Sequence, residues 1–198
     1  MASHGFSTLT IDIDNDLSPD ICADVMVLDG LPKADIFWAS PPCQAFSVAA
    51  IGKNWNKGGI PKTRHAVDAE ELVLKTLWLI WRSKPRWWFV ENPRGMLRKS
   101  WFMQEFRRHT VSYCQYGDTR QKPTDIWTNA RWWKPRPLCK PSAPCHVAAP
   151  RGARTGTQGI NGAVDRSRIP PAIFEEIIGQ LPADIPPPSA EKETTWIP

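Results

Sequence analysis

The sequence predicts an α/β fold built on a doubly wound sheet, and three observations carry that expectation. Short apolar runs recur along the chain, and each stops at a proline, glycine or polar residue. One long amphipathic segment, residues 64–83, separates two of these runs. Acids and a cysteine stand where the runs stop, and in open α/β sheets the carboxyl ends of the strands form the ligand-binding rim. A chain of 198 residues has room for one compact domain with a sizeable core.

In chain order, residues 8–13 (TLTIDI) read as a strand and residues 23–28 (ADVMVL) as a second, shorter one. Residues 35–39 (DIFWA) form a third apolar run, stopped by Ser40-Pro41-Pro42. Residues 45–62 read as loop, with Gly52, Gly58, Gly59 and Pro61. A helix follows over 64–83: Thr63 can cap it, and Asp68, Glu70 and Glu71 sit near its positive end. Val73, Leu77, Ile80 and Trp81 form its expected apolar face, and Pro85 ends it.

Residues 86–91 (RWWFVE) read as a buried strand stopped by Asn92-Pro93. Residues 109–115 and 125–129 read as two further strands, with a turn at Tyr116-Gly117-Asp118. Residues 130–168 are rich in proline, glycine and basic side chains and predict a small irregular lobe. Pro170 and Pro171 can start a last helix over 172–181, with Ile173, Ile177 and Leu181 on one face. The tail, 182–198, has the composition of a disordered segment. The expected organisation is a catalytic domain over 1–129, a basic recognition lobe over 130–168, a helix over 169–181 that returns to the domain, and the tail.

No apolar run is long enough to span a membrane, and the N-terminus lacks the pattern of a secretory signal, so the expected compartment is the cytosol. Five cysteines, an odd number without framework spacing, point to reduced thiols. Cys139, Cys145 and His146 match no common zinc spacing and have no evident fourth ligand nearby, so no metal is expected. The net charge is +5. Between residues 131 and 168 eight basic residues face one acid, while seven acids fall in the first 35 residues, a distribution that favours a polyanionic partner on the late segment. Trp132 and Trp133 lie in that segment, where they could stack or wedge against bases.

Two positions carry chemistry. Cys43 follows a strand end and two prolines, which hold it rigidly, and a thiolate there can attack carbon 6 of a pyrimidine. Glu91 ends a buried strand, where a carboxyl group can hydrogen-bond or protonate ring nitrogen 3 of the same base.

Pro42-Cys43-Gln44, then Glu91-Asn92 one helix and one strand later, then Tyr116-Gly117, resemble the ordered motifs of the cytosine-5 DNA methyltransferase family. The similarity runs from about residue 5 to residue 130, with a weaker echo around 160–178. The stretches WASPPCQAFSVAAIG, FVENPRGML and QYGDTRQKPTDIWTN are similar to compact phage-encoded members. The resemblance implies a Rossmann-like, S-adenosylmethionine-dependent methyltransferase sheet. It implies double-stranded DNA as partner, a monomer acting on a flipped cytosine, and a place in a bacterial host cell; self-protection and evasion of restriction both stay open as its purpose. It assigns Cys43 as nucleophile, Glu91 as the acid at nitrogen 3, Asn92 as a buttress, and residues 45–62 as a mobile loop over the base. Asp12 with Ile13, Asp24 with Val25, and Pro42 match the cofactor-binding positions.

The family's Phe-x-Gly-x-Gly opening is not matched, so the resemblance implies a sheet truncated at its N-terminal side. A start further upstream, a complementing N-terminal segment and a degenerate DNA-binding relative stay open as explanations. In the Gln-x-Arg-x-Arg motif, Arg120, Lys122 and Thr124 occupy the three named positions, so two basic groups remain to hold the base carbonyl or a phosphate. Pro93 replaces a Val, and the late Asn-Ala-Val is matched loosely at residues 161–164 or 167–169. Methylation of exocyclic amino groups is disfavoured, because Cys43 stands where such enzymes carry an aromatic residue after Ser-Pro-Pro.

Overall fold

In the computed structural model, residues 6–140, 142–147 and 163–183 are described. The main sheet has four strands: β3 (Ile36–Ala39), β4 (Trp87–Pro93), β5 (Arg108–Ser112) and β6 (Pro123–Thr128), in the order β3-β4-β6-β5. Only β3 and β4 run parallel; β4 with β6 and β5 with β6 are antiparallel pairs. Two short strands, β1 (Ile11–Asp12) and β2 (Ile21–Cys22), form a separate parallel pair. The single doubly wound sheet expected from the sequence is therefore a mixed sheet plus a two-stranded one. Among the described residues no strand bridges the two.

Strand β4 organises the rest. Its aromatic and β-branched residues suit a strand buried on both faces. Alternation sends Phe89 and Val90 to opposite sides, and both are fully buried. Val90 joins Phe46, Trp55, Val73, Ile80, Leu97 and Trp127 on one side. Phe89 joins Val111, Ile126, Trp133, Ile173 and Ile177 on the other. The first layer is closed by α2 (Arg64–Ser83) and the second by α4 (Pro171–Gly179), so helices cover both faces of the main sheet.

Helix α2 starts where expected, with the Thr63 hydroxyl accepting from the Ala66 amide at 3.2 Å, and Lys84 ends it in the left-handed region at φ 48°. Its buried face is Ala66, Val73, Thr76, Leu79 and Ile80. Trp81 is 69% exposed rather than part of that face, because it falls on the flank opposite Thr76 and Leu79. Helix α4 begins at Pro171 and buries Ile173 and Ile177.

Other expectations change. Residues 23–28 are not a strand: β2 precedes them, and Val25–Val27 form a 3₁₀ turn, capped by Asp24, whose carboxylate accepts from the Met26 amide at 2.9 Å. The strand expected over 109–115 stops at Ser112, where a 3₁₀ turn, Tyr113–Tyr116, takes over and closes on Gly117 at φ 87°. The loop over 45–62 contains a 3₁₀ turn and α1 (Ile51–Asn54). Its start is tied to its middle: Trp55 Nε1 donates to the Ala45 carbonyl at 2.8 Å, and Phe46 stacks on Trp55. In the lobe, Trp133 is fully buried against Phe89 and His109, and Trp132 packs edge-on against Trp87. Trp133 is a core residue and Trp132 a partly buried one packed against that core, because the chain leaving β6 folds back over the sheet. A short helix, α3 (Ala163–Ser167), lies where irregular chain was expected. Residues 148–162 and 184–198, including Asn161-Gly162 and most of the tail, lie outside the described residues.

Asp125 on β6 is fully buried and receives Arg98 Nε at 2.8 Å and the Thr110 hydroxyl at 2.8 Å. This ion pair ties the turn after β4 to β5 and β6. Among the described residues no helix is long and apolar enough to cross a membrane.

Candidate active site

The site begins with a mismatch of strand lengths. Strand β3 pairs with β4 only as far as Ala39 opposite Val90. Strand β4 runs on through Glu91, Asn92 and Pro93, paired on its other side with Ile126, Asp125 and Thr124 of β6. The flank that β3 leaves is taken by Ser40–Cys43. Pro93 is tolerated in the strand because no β3 neighbour needs its missing N–H. Asn92, fully buried, donates from Nδ2 to the Pro41 carbonyl at 2.9 Å, two residues before Cys43.

Glu91 is buried, and the Tyr113 hydroxyl donates to its Oε1 at 2.8 Å. Burial pushes the Glu91 carboxyl above the usual carboxylate range, against the Lys122 ammonium and hydrogen bonds from Tyr113 and Ser40. Cys43 is half-buried. Its thiol is pushed up first by burial and then by the Glu91 charge, while Lys122, a backbone hydrogen bond and Arg166 pull it down. Cys43, Glu91 and Lys122 therefore act on one another as a single electrostatic group. Burial lowers the Lys122 ammonium, and Glu91 opposes that. Lys122 sits in the left-handed region at φ 28°, with its ammonium 4.5 Å from the Tyr113 ring centre and donating to the Arg166 carbonyl at 2.8 Å.

Arg120 is placed differently from Lys122. It is buried, its Nε donates to Asp118 Oδ1 at 2.8 Å, and its Nη2 also binds that carboxylate. Its Nη1 donates to the Asp165 and Arg166 carbonyls at 2.9 and 3.2 Å. The guanidinium is a clamp on the chain around α3, so Lys122 is the group of the pair that faces the thiol and acid. Tyr113 was not singled out in the sequence. Nothing local marks it, since it meets Glu91 only through the pairing of β5, β6 and β4.

A cleft of about 390 Å³ opens on the other flank of the cysteine loop. Pro42 and Gln44, the neighbours of Cys43, line it together with Asp24, His65, Asp68 and Leu72. Asp24 and Pro42 thus share one wall. Asp12, Ile13 and Val25 do not line it: the Asp12 carboxylate accepts from the Asp14 amide at 2.9 Å, and Ile13 is exposed. His65, Asp68 and Leu72 come from the first turns of α2, where the acids had been read only as helix-end charges.

The turn after β5 brings Cys114 beside Cys139, Cys145 and His146, with one ligand atom of each within 4.8 Å of the others.

The charges around Cys43 have a measurable consequence. Glu91→Gln removes the negative charge that raises the thiol, so alkylation of Cys43 should set in at lower pH. Lys122→Met removes a cation that lowers it, so alkylation should set in at higher pH. Mass spectrometry of the Cys43 peptide across a pH series measures both, and shifts in the same direction would contradict the arrangement.

A mixed sheet with helices on both faces and a thiol beside a buried acid at its rim is consistent with an α/β methyltransferase. Residues 14–107 match the family model of C-5 cytosine-specific DNA methylases. Over 195 residues the chain is 30% identical to a protein of Frog virus 3 (isolate Goorha) named "probable DNA (cytosine-5)-methyltransferase", covering 88% of this chain and 89% of that one. The chain belongs to the C-5 cytosine-specific DNA methylase family.

Proposed function

We propose that this chain methylates carbon 5 of a flipped cytosine in double-stranded DNA through a covalent Cys43 adduct. The observation that carries the reading is geometric: Asn92 holds the cysteine loop through Pro41 beside Glu91, whose carboxylate accepts from Tyr113, and the Lys122 ammonium lies 4.5 Å from the ring centre of that same Tyr113. The Cys43 thiolate adds to carbon 6, forming the S–C bond and pushing electrons into the ring. Glu91, kept protonated to higher pH by its burial, gives its proton to nitrogen 3. Lys122 favours the thiolate and can hold the base carbonyl. Asn92 holds the cysteine loop through Pro41. Carbon 5 would then take the methyl carbon as the donor's sulfonium C–S bond breaks and a neutral thioether leaves; nitrogen 3 returns its proton to Glu91, carbon 5 loses its proton to a base, the S–C bond to Cys43 breaks, and Cys43 leaves as thiolate. The base must leave the stack because its reacting carbons are shielded in the duplex.

The cleft suits an adenosyl group. Its volume falls in the range of small-molecule sites, and its wall combines apolar surface from Pro42 and Leu72 with the carboxylate of Asp24. S-adenosylmethionine, when bound, supplies an electrophilic methyl group. Asp24 and Pro42 would hold it, and Pro42 would set it beside the nucleophile. Basic side chains of the segment 131–168 would contact phosphates, which makes DNA affinity fall with salt.

The test is DNA containing 5-fluorocytosine with S-adenosylmethionine. Fluorine in place of the departing hydrogen blocks release, so a denaturant-resistant adduct should form and map to the Cys43 peptide. An adduct on another cysteine, or no adduct with DNA and cofactor both bound, defeats the reading.

A further inference from the structure

Three cysteines and a histidine that play no part in the reaction converge on one point. Cys114 comes from the 3₁₀ turn Tyr113–Tyr116 after β5, and Cys139, Cys145 and His146 come from the chain after β6. The four ligand atoms all lie within 4.8 Å of one another. Cys139 Sγ is 3.2 Å from Cys145 Sγ and 3.4 Å from His146 Nδ1. Cys145 Sγ is 3.6 Å from Cys114 Sγ and 3.7 Å from His146 Nδ1.

These separations discriminate between chemistries. A disulfide brings two sulfurs to about 2.05 Å, and none of the five cysteines is in one. In a tetrahedral zinc site the bonds are about 2.3 Å to sulfur and about 2.0–2.1 Å to nitrogen, so neighbouring ligand atoms stand roughly 3.4–3.8 Å apart. Four of the six separations, 3.2, 3.4, 3.6 and 3.7 Å, fall close to that edge length, and the other two lie within 4.8 Å. We propose that Cys114, Cys139, Cys145 and His146 form a closed, structural Cys₃His zinc site that fastens the 139–147 segment to the turn after β5.

The surroundings fit that role. The segment and the two residues before it carry Pro137 and Pro144 and have little apolar anchorage, since Leu138 and Val147 are 54% and 62% exposed. Polar contacts frame the ligands instead. Gln115 Nε2 donates to Cys145 Sγ at 3.3 Å, the Cys139 amide to the Ser112 hydroxyl at 3.1 Å, and Gln121 Nε2 to the Cys139 carbonyl at 3.2 Å. Such contacts orient metal ligands. Four protein ligands leave no open position, which suits a structural rather than a catalytic ion. Binding displaces the thiol protons to solvent, and neutral His146 coordinates through Nδ1 with its proton on Nε2. Because Tyr113 precedes Cys114 and holds Glu91, the ion would join the basic lobe to the wall of the active site.

Elemental analysis of the full chain, purified without a histidine tag under reducing conditions, should find about one zinc per chain. Cys145→Ser and His146→Ala, both changes in the surface segment, should each lose it. Cys22→Ser, at an exposed cysteine of β2, should keep it. Cobalt(II) in place of zinc should give the absorption of a tetrahedral thiolate site, and a chelator should open the chain around residues 138–147 to proteinase K. Metal-free protein with reduced, reactive thiols, a Cys139–Cys145 disulfide in freshly isolated protein, or zinc that survives both substitutions would each overturn the site. These measurements need no methyl transfer, so their outcome is separate from that of the methyltransferase reading.

Discussion

Cys43→Ser should lower methyl transfer by on the order of 10⁴–10⁶-fold, the scale seen when an enzyme loses its covalent nucleophile. A serine hydroxyl ionises far above a thiol, and the surroundings of Cys43 do not compensate. Burial and the Glu91 charge already oppose an anion there, and Lys122 and Arg166 offset them only in part. Sulfur is also the more polarisable nucleophile. The exchange is nearly isosteric at a half-buried position, so fold and stability should be unchanged. Single-turnover transfer of a labelled methyl group to DNA measures the rate, and thermal unfolding checks the fold. A Cys43→Ser protein that keeps a tenth of the wild-type rate would show that no adduct through Cys43 is needed.

Gly95→Ala should cost about 10²-fold in turnover, although residue 95 touches neither base nor cofactor in this scheme. A Cβ at Gly95 would press on the carbonyl oxygen of Phe46, with the carbonyl carbon at 3.1 Å. Both are backbone atoms of the cysteine loop. That loop is also held here by the Met96 amide, which donates to the same carbonyl at 2.7 Å. A rotamer change cannot relieve the contact, so the loop itself must move. Phe46 is fully buried in the core and lies three residues from the nucleophile. A displacement of about 1 Å at a reacting group costs on that scale, and overpacking costs about 1–3 kcal/mol of stability. The expected pattern is a folded protein with a lower Tm and a turnover that falls much further than its folded fraction. Unchanged turnover would mean that the loop position does not control the chemistry.

Both predictions concern residues whose importance is legible to different degrees. Cys43 and Glu91 stand out in the sequence because each lies beside prolines after an apolar run, Cys43 behind Pro41-Pro42 and Glu91 two residues before Pro93, although β4 runs past Glu91 to Pro93. The helix over 64–83 was equally plain, since Thr63, the apolar spacing and Pro85 are local signals. Gly95 is plain in the sequence, but the close approach of Phe46 that makes it necessary is not. Asp24 was legible as a cofactor acid but misread as part of a strand, because an Asx turn and a strand start look alike over three residues. Arg120 and Lys122 are both basic and two residues apart. Which of them turns toward the thiol depends on Asp118 and the carbonyls around α3.

Local pattern alone determined the chemical vocabulary: a thiol just beyond one apolar run and an acid late in another, a capped helix between them, and a basic late segment. Those features depend on covalent neighbours and on periodicity, which a linear text preserves. Only the folded chain decided how the pieces meet. Strand β4 outlasts β3, so the cysteine loop fills the vacant edge. Tyr113 reaches Glu91 across the sheet, Trp132 and Trp133 turn inward to the core, and Cys114 joins three ligands more than twenty residues away. Each of these depends on strand register and on the path of a loop, and those follow from the packing of the whole core, not from any short stretch of residues.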